Sequence, residues 1–307
     1  MRCSTLGYAW TSVNTVLDSA SPPIPRLRSL AARLLPRGFR RSPLTLCGLC
    51  VIVVWLVVAA AAPQLAPYEP LAQDIPRRLA PPSSANWLGT DQLGRDVLSR
   101  VIYGARLSIP VGIAAVVLAT LLGSFVGSAA GFVGGNAGEA IMRFTDLMLA
   151  FPTVILAMVI TAALGAGIRN AVIAIMIAWW PSYARYMRGL VLALRDREYV
   201  LAARALGASN WRILLRHLLP GTVSPIVILS TLDVGRAILT FASLSFLGLG
   251  APPEIPEWGA MVAAGREYLD QWWISTFPGL AILSFVLAIN LVGDSFRDLL
   301  DPRLRKV

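Results

Sequence analysis

The chain has 307 residues, 56% of them hydrophobic and 14% charged, with a mean hydropathy of +0.66. A soluble domain carries about 25% charged residues, so these proportions exclude an ordinary cytosolic enzyme and a disordered chain alike. The net charge of +10 and pI of about 10.4 would suit nucleic-acid binding in a soluble protein; in a chain with long apolar blocks they ask on which side of a bilayer the charge falls.

A membrane-spanning helix needs about 20 mostly apolar residues. Six such runs are predicted, near 44–63, 107–132, 146–165, 170–187, 222–246 and 276–293, giving an all-α polytopic membrane protein. Residues 1–43 form an N-terminal tail far longer than the n-region of a signal peptide, so the first run is expected to be an uncleaved signal anchor. Cys47 and Cys50 in that run have the CxxC spacing, with Cys3 the one other thiol. Small packing residues are the expected role there, in place of a redox or zinc site. Residues 64–106 connect to the second run, where Gly123, Gly127 and Gly131 recur every fourth residue and lay a smooth stripe for close helix packing. The third and fourth runs are separated by a tight Gly165-Ala-Gly-Ile-Arg169 turn, and Pro181 and Pro225 fall within or at the start of spans.

The arginines orient these runs. The tail holds Arg2, Arg26, Arg28, Arg33, Arg37, Arg40 and Arg41 against Asp18, and the fourth-to-fifth connection holds Arg185, Arg188, Arg195, Arg197, Arg204, Arg212 and Arg216. The connection after the first run is balanced, and the one after the fifth is acidic, with Glu254, Glu257, Glu267 and Asp270 against Arg266. Positive loops stay inside. Both termini, including the tail at 297–307, and the loop at 188–220 are therefore expected in the cytoplasm.

That loop is the most informative segment. Glu198 to Leu206 is rich in helix formers, Gly207 suits a helix C-terminus, and Ser209 can cap a second short helix. Ala202, Ala203, Ala205 and Gly207 make a small-residue knuckle flanked by Arg204 and Arg212, shaped to enter a groove on another protein. The alternative is an amphipathic helix lying on the membrane surface.

Ala202-Ala203, Gly207 and Leu219-Pro220 stand at the spacing of the EAA loop of bacterial ABC importer permeases, with Leu201 in place of its glutamate and His217 in place of its isoleucine. The wider wording from Arg197 to Ser209 resembles the oligopeptide/dipeptide/nickel branch. Trp87-Leu-Gly-Thr-Asp-Gln-Leu-Gly-Arg-Asp-Val-Leu-Ser-Arg100, Leu244-Ser-Phe-Leu-Gly-Leu-Gly-Ala-Pro-Pro253 with Glu257-Trp-Gly259, and Asp294-Ser-Phe-Arg-Asp-Leu-Leu-Asp-Pro-Arg303 resemble the C-type subunit of peptide importers. The resemblance covers about Trp87 to Arg305 in the five-helix permease core at 107–296 and its flanks. It implies the type I importer permease fold in the cell inner membrane and a second related permease forming a heterodimer. It also implies two cytoplasmic ATPases docked on the loop through Glu198, Ala202, Ala203, Arg204, Gly207, Ser209 and Pro220, a substrate-binding protein outside, and a peptide as cargo. No cofactor, catalytic residue or metal site is implied, and nucleic acid is no partner. The chain has no Gly-x4-Gly-Lys-Ser/Thr phosphate loop, so ATP hydrolysis would belong to another subunit.

Asp233 and Arg236 remain, three residues apart near the middle of the fifth run. Charges at that depth are costly and face a bundle interior or a wet cavity. They are expected either to neutralise each other against a neighbouring helix or to line a path that grips peptide termini or backbone. Phe241 stands where relatives in the branch often carry glutamate. Arg143 with Asp146, and Asp294 with Arg297, are expected as interfacial pairs, and Trp179, Trp180, Tyr183 and Tyr186 as interfacial anchors. Gly89-Thr-Asp-Gln-Leu-Gly94 lacks the Lys-Ser/Thr of a phosphate cradle and is expected to be a turn. With His217 the single histidine, neither a Ser/His pair nor two facing aspartates is available for a membrane-embedded enzyme. Nickel or another small solute is the alternative cargo. A proton-driven secondary transporter ranks lower, since it calls for a carboxylate relay and no ATPase dock.

Overall fold

A computed structural model describes residues 43–300, with the side chains of 297–300 left aside. The tail at 1–42, the end at 301–307 and the Asp294–Arg297 pairing therefore lie outside the described residues. The described residues form helices and no strand. In chain order these are α1 (Pro43–Ala60), α2 (Ala62–Leu65), α3 (Val97–Val133), α4 (Gly135–Leu149), α5 (Thr153–Leu164), α6 (Ile168–Arg195), α7 (Glu198–Ala205), α8 (Asn210–Ile213), α9 (Leu219–Phe246), α10 (Trp258–Gly265) and α11 (Trp273–Leu300).

Four helices or continuous helical runs are long and apolar enough to cross a bilayer, and five if the bent pair α4–α5 is counted as one span. The run at 170–187 falls within α6, which has 28 residues but is diluted by Trp179, Trp180, Pro181, Ser182 and Tyr183. It earns its place in the bundle by packing. α3 and α6 make the most extensive helix pair, meeting along Ala115, Ala119, Ala174 and Ala178, all buried. The glycine stripe deepens this seam: a Cβ on Gly123 would lie 2.5 Å from the Trp180 carbonyl oxygen, and one on Gly127 2.2 Å from that of Ala184. Backbones approach this closely only where side chains are absent.

The third span departs from expectation. In place of one helix over 146–165, α4 and α5 meet at 89° across Ala150, Phe151 and Pro152. Pro152 has no N–H to continue the ladder and pushes Phe151 out of the helical region, so the chain turns there. The bend also reassigns the charges. Arg143 pairs with Glu139 at 3.9 Å, and Asp146 pairs with Arg185 on α6, so the expected Arg143–Asp146 pair does not form.

The second span begins earlier than hydropathy indicates. Asp96 caps α3 by accepting from the Ser99 N–H at 2.8 Å, so the helix runs on for ten residues before the apolar stretch at 107. At about 1.5 Å per residue, its 37 residues exceed the roughly 30 Å hydrocarbon core, and the excess enters a cap at one end of the bundle. Asp91, Arg95 and Arg100 are buried there. Asp91 accepts from Arg95 Nε at 2.7 Å, while the Arg100 guanidinium donates to the carbonyls of Pro253 at 3.1 Å and of Pro70 and Glu254 at 3.4 Å. The 89–94 segment is a closed turn in this cap, with Gly89 and Gly94 at φ of 75° and 73°.

Glu257 fastens the cap to the bundle. Its Oε1 accepts from the Gly259 N–H at 2.9 Å and the Ser108 hydroxyl at 3.0 Å, and its Oε2 from the Ala260 N–H at 2.8 Å. It thereby caps α10 and ties it to α3. Burial pushes the Glu257 carboxyl above the usual range, and these same donors, with Ser245, pull against that shift.

Candidate functional site

The residues singled out from the sequence fall in two places: the loop after α6, and a cavity halfway along α9. α6 reaches Arg195, so the projecting segment is shorter than the expected 188–220. α7 starts at Glu198 and ends at Ala205 with a reversal in which the N–H groups of Leu206, Gly207 and Ala208 donate to the carbonyls of Ala202, Arg204 and Ala203, each at 3.0 Å. Gly207 sits at φ +80°, the left-handed conformation that closes such a reversal and that a side chain resists. Ser209 then caps α8, its hydroxyl accepting from the Arg212 N–H at 3.4 Å. α8 runs without a break through a widened turn at Leu214–Leu218, which holds His217, into α9 with Pro220 in its first turn. His217 offers its backbone carbonyl to the Tyr199 hydroxyl at 3.5 Å.

The loop has two faces. Val200, Ile213, Leu214 and Leu218 are buried against Met187, Val191 and Ile226, which anchors the segment to the C-terminal part of α6 and the start of α9. Ala202, Arg204, Ala205 and Gly207 are exposed. Leu206 and Trp211 beside them are 88% and 71% exposed. The knuckle is thus held on one side and carries two exposed large apolar side chains on the other.

The second place brings Asp233 and Arg236 together. Arg236 donates from an NH1 nitrogen to Asp233 Oδ1 at 3.0 Å, and the Tyr183 hydroxyl donates to Asp233 Oδ2 at 2.8 Å. The Arg236 guanidinium lies over the Trp179 ring, 5.5 Å from its centroid. A cavity of about 270 Å³ opens beside them, lined also by Thr153, Ser182 and Thr240. Trp179, Trp180 and Tyr183 are buried and only Tyr186 is exposed, so the first three are packing and site residues and not interfacial anchors. Spacing within α9 points to the Asp233–Arg236 pair. Tyr183 and Trp179 are missed by sequence reasoning because they are 50 or more residues away on another helix. Phe241 is fully buried in the α3–α6–α9 core.

Among the described residues no group of His, Cys, Asp and Glu is placed to hold a metal ion. The chain belongs to the family described as binding-protein-dependent transport system inner membrane component, whose model matches residues 119–306, and it has the type I permease fold. Residues 33–82 match the N-terminal transmembrane domain of oligopeptide transport permease C. It is 46% identical over 263 residues to the probable D,D-dipeptide transport system permease protein of Escherichia coli K12, covering 85% of this chain and 88% of the relative. It is 44% identical to the di/tripeptide transport system permease protein of Pseudomonas aeruginosa UCBPP-PA14, over 88% and 91% of the two chains. The nickel transport system permease protein of E. coli K12 is 42% identical over 83% of this chain and 93% of its own length.

Proposed function

We propose that this chain is the C-type permease subunit of an ATP-driven peptide importer, crossing the inner membrane six times with both termini in the cytoplasm. It pairs with a second, related permease to enclose the path. Two ATPases dock on the loop that carries Glu198, Ala202, Ala203, Arg204, Gly207, Ser209 and Pro220, and an external binding protein delivers the peptide. Closure of the ATPases pushes the knuckle and rocks the helices anchored to it. Asp233 and Arg236 line the path. The observation that carries the docking role is the two-faced loop, whose underside is locked to α6 and α9 while Leu206 and Trp211 stand exposed. Peptide is the favoured cargo because the di- and tripeptide permeases cover most of both chains at high identity. Nickel or another small solute through the same machinery is the second reading, favoured by the nickel permease.

The dock is tested in the assembled transporter with a photo-reactive phenylalanine analogue at Leu206. It is expected to yield an adduct with an ATPase chain on irradiation, whereas the analogue at Leu283, exposed on α11, yields none. Adducts from Leu206 to lipid alone would support the membrane-surface helix and overturn the dock.

A further inference from the structure

The cavity between α5, α6 and α9 is unbalanced in its hydrogen bonding. Both oxygens of Asp233 are engaged, one by Arg236 and one by Tyr183, and the residue is buried. Each Asp233 oxygen already accepts one bond, and with its side chain only 11% exposed Asp233 presents little surface to an incoming ammonium. Arg236 is the reverse. Its side chain is 71% exposed, and a guanidinium carries five N–H donors in a fixed fork. Among the described residues, Asp233 is the one acceptor it meets. The indole N–H of Trp179 is also buried without an acceptor. The pair is therefore one-sided: Asp233 is buried and bonded at both oxygens, while Arg236 keeps spare donors toward the cavity, the groups being held on α6 and α9.

We propose that Arg236 is the contact for the carboxylate of the cargo, and that Asp233, Tyr183 and Trp179 are positioning residues that hold its guanidinium open to the cavity. This rests on the path reading above and deepens it: the pair does not grip both ends of a peptide, because Asp233 is buried and turned to Arg236 and Tyr183 while Arg236 is exposed. A planar fork suits a carboxylate, to which it can offer two parallel N–H bonds. The Trp179 face fixes the plane of the fork, and the Asp233 bond fixes its rotation, so little side-chain entropy is lost when the anion arrives. A volume of about 270 Å³ holds the terminal residue of a peptide and not a long chain. Lipid is not the occupant. An unpaired guanidinium edge halfway along a spanning helix is costly in hydrocarbon.

The test uses the complex of this chain, its second permease and the ATPases, without the binding protein, so that the selectivity measured is that of the permease. Equilibrium binding is measured for labelled Ala-Ala and for Ala-Ala with its C-terminus amidated. The wild-type complex is expected to prefer the free carboxylate by roughly 10- to 100-fold, the range given by a charge-assisted hydrogen bond. Arg236→Gln is expected to bring the ratio near one. Because that change leaves Asp233 without its counter-charge, the pair Asp233→Asn with Arg236→Gln, which buries no unpaired charge, is measured beside it and is expected to lose the preference equally. A wild-type ratio near one, or a paired variant that keeps the wild-type ratio, overturns the proposal. So does loss of the second permease from the purified Arg236→Gln complex, which would make Arg236 a subunit contact. If the wild-type importer, supplied with its binding protein, moves no peptide on ATP hydrolysis, the importer reading falls separately and takes this one with it.

Discussion

Gly127→Leu is expected to abolish accumulation of folded protein in the membrane, and Gly127→Ala to lower its melting temperature in detergent. A Cβ at this position would lie 2.2 Å from the Ala184 carbonyl oxygen and 2.8 Å from its Cα, both backbone atoms of α6 that no rotamer change can move. Overpacking of this kind costs about 1–3 kcal/mol, and more when the backbone must shift. Alanine also brings a gain in helix propensity of about 1 kcal/mol over glycine, so the clash outweighs it. Gly189, further along α6, is the control, because nothing lies within 4 Å of its ideal Cβ. There the propensity term acts alone, and Gly189→Ala is expected to leave stability unchanged or slightly raised. Equal melting temperatures for Gly127→Ala and Gly189→Ala would contradict the packing account.

Gly207→Val is expected to leave the protein in the membrane at normal levels and to remove most ATP-driven uptake. Open space surrounds its Cβ position, so no clash arises. The penalty is conformational: at φ +80° a side chain costs about 1–2 kcal/mol, and β-branching raises it. That is small against the stability of a whole bundle. It is large against a single reversal held by the three 3.0 Å bonds to the carbonyls of Ala202, Ala203 and Arg204. The knuckle is expected to reorganise and lose its fit to the ATPase, so uptake and ATPase co-purification fall together. Gly207→Asn, which tolerates the left-handed region, is expected to restore much of both. Full uptake by Gly207→Val would contradict a coupling role for this turn.

Much of the bundle was legible in the sequence because apolar runs and small-residue spacing are local signals. The stripe at Gly123, Gly127 and Gly131 anticipated the closest helix contact, and the Gly207–Ser209 stop-and-cap anticipated the corner of the loop. What was not legible depended on partners distant in the chain. Pro152 signalled a break, yet only the whole packing sets it at 89° and sends Asp146 to Arg185 and not to Arg143. Trp179 and Trp180 have the composition of an interfacial belt, and their burial follows from the α3 glycines that let α6 come close. The i,i+3 spacing brought out Asp233 and Arg236. That both oxygens of Asp233 are bonded depends on Tyr183, which no periodicity links to α9. The cap was likewise opaque, since Arg100 and Glu257 are surface-type residues whose burial depends on distant groups, the Pro253 and Glu254 carbonyls for Arg100 and the Ser108 hydroxyl for Glu257.

The central claim is that this chain moves a peptide only as part of an ATP-driven assembly. Its most direct test is uptake of labelled Ala-Ala into liposomes containing this chain, its second permease and the ATPases, with the binding protein outside and ATP inside. Accumulation that requires ATP and stops when the ATPases are left out is the predicted result. Accumulation that persists without the ATPases, or that follows an imposed proton gradient in the absence of ATP, would contradict it.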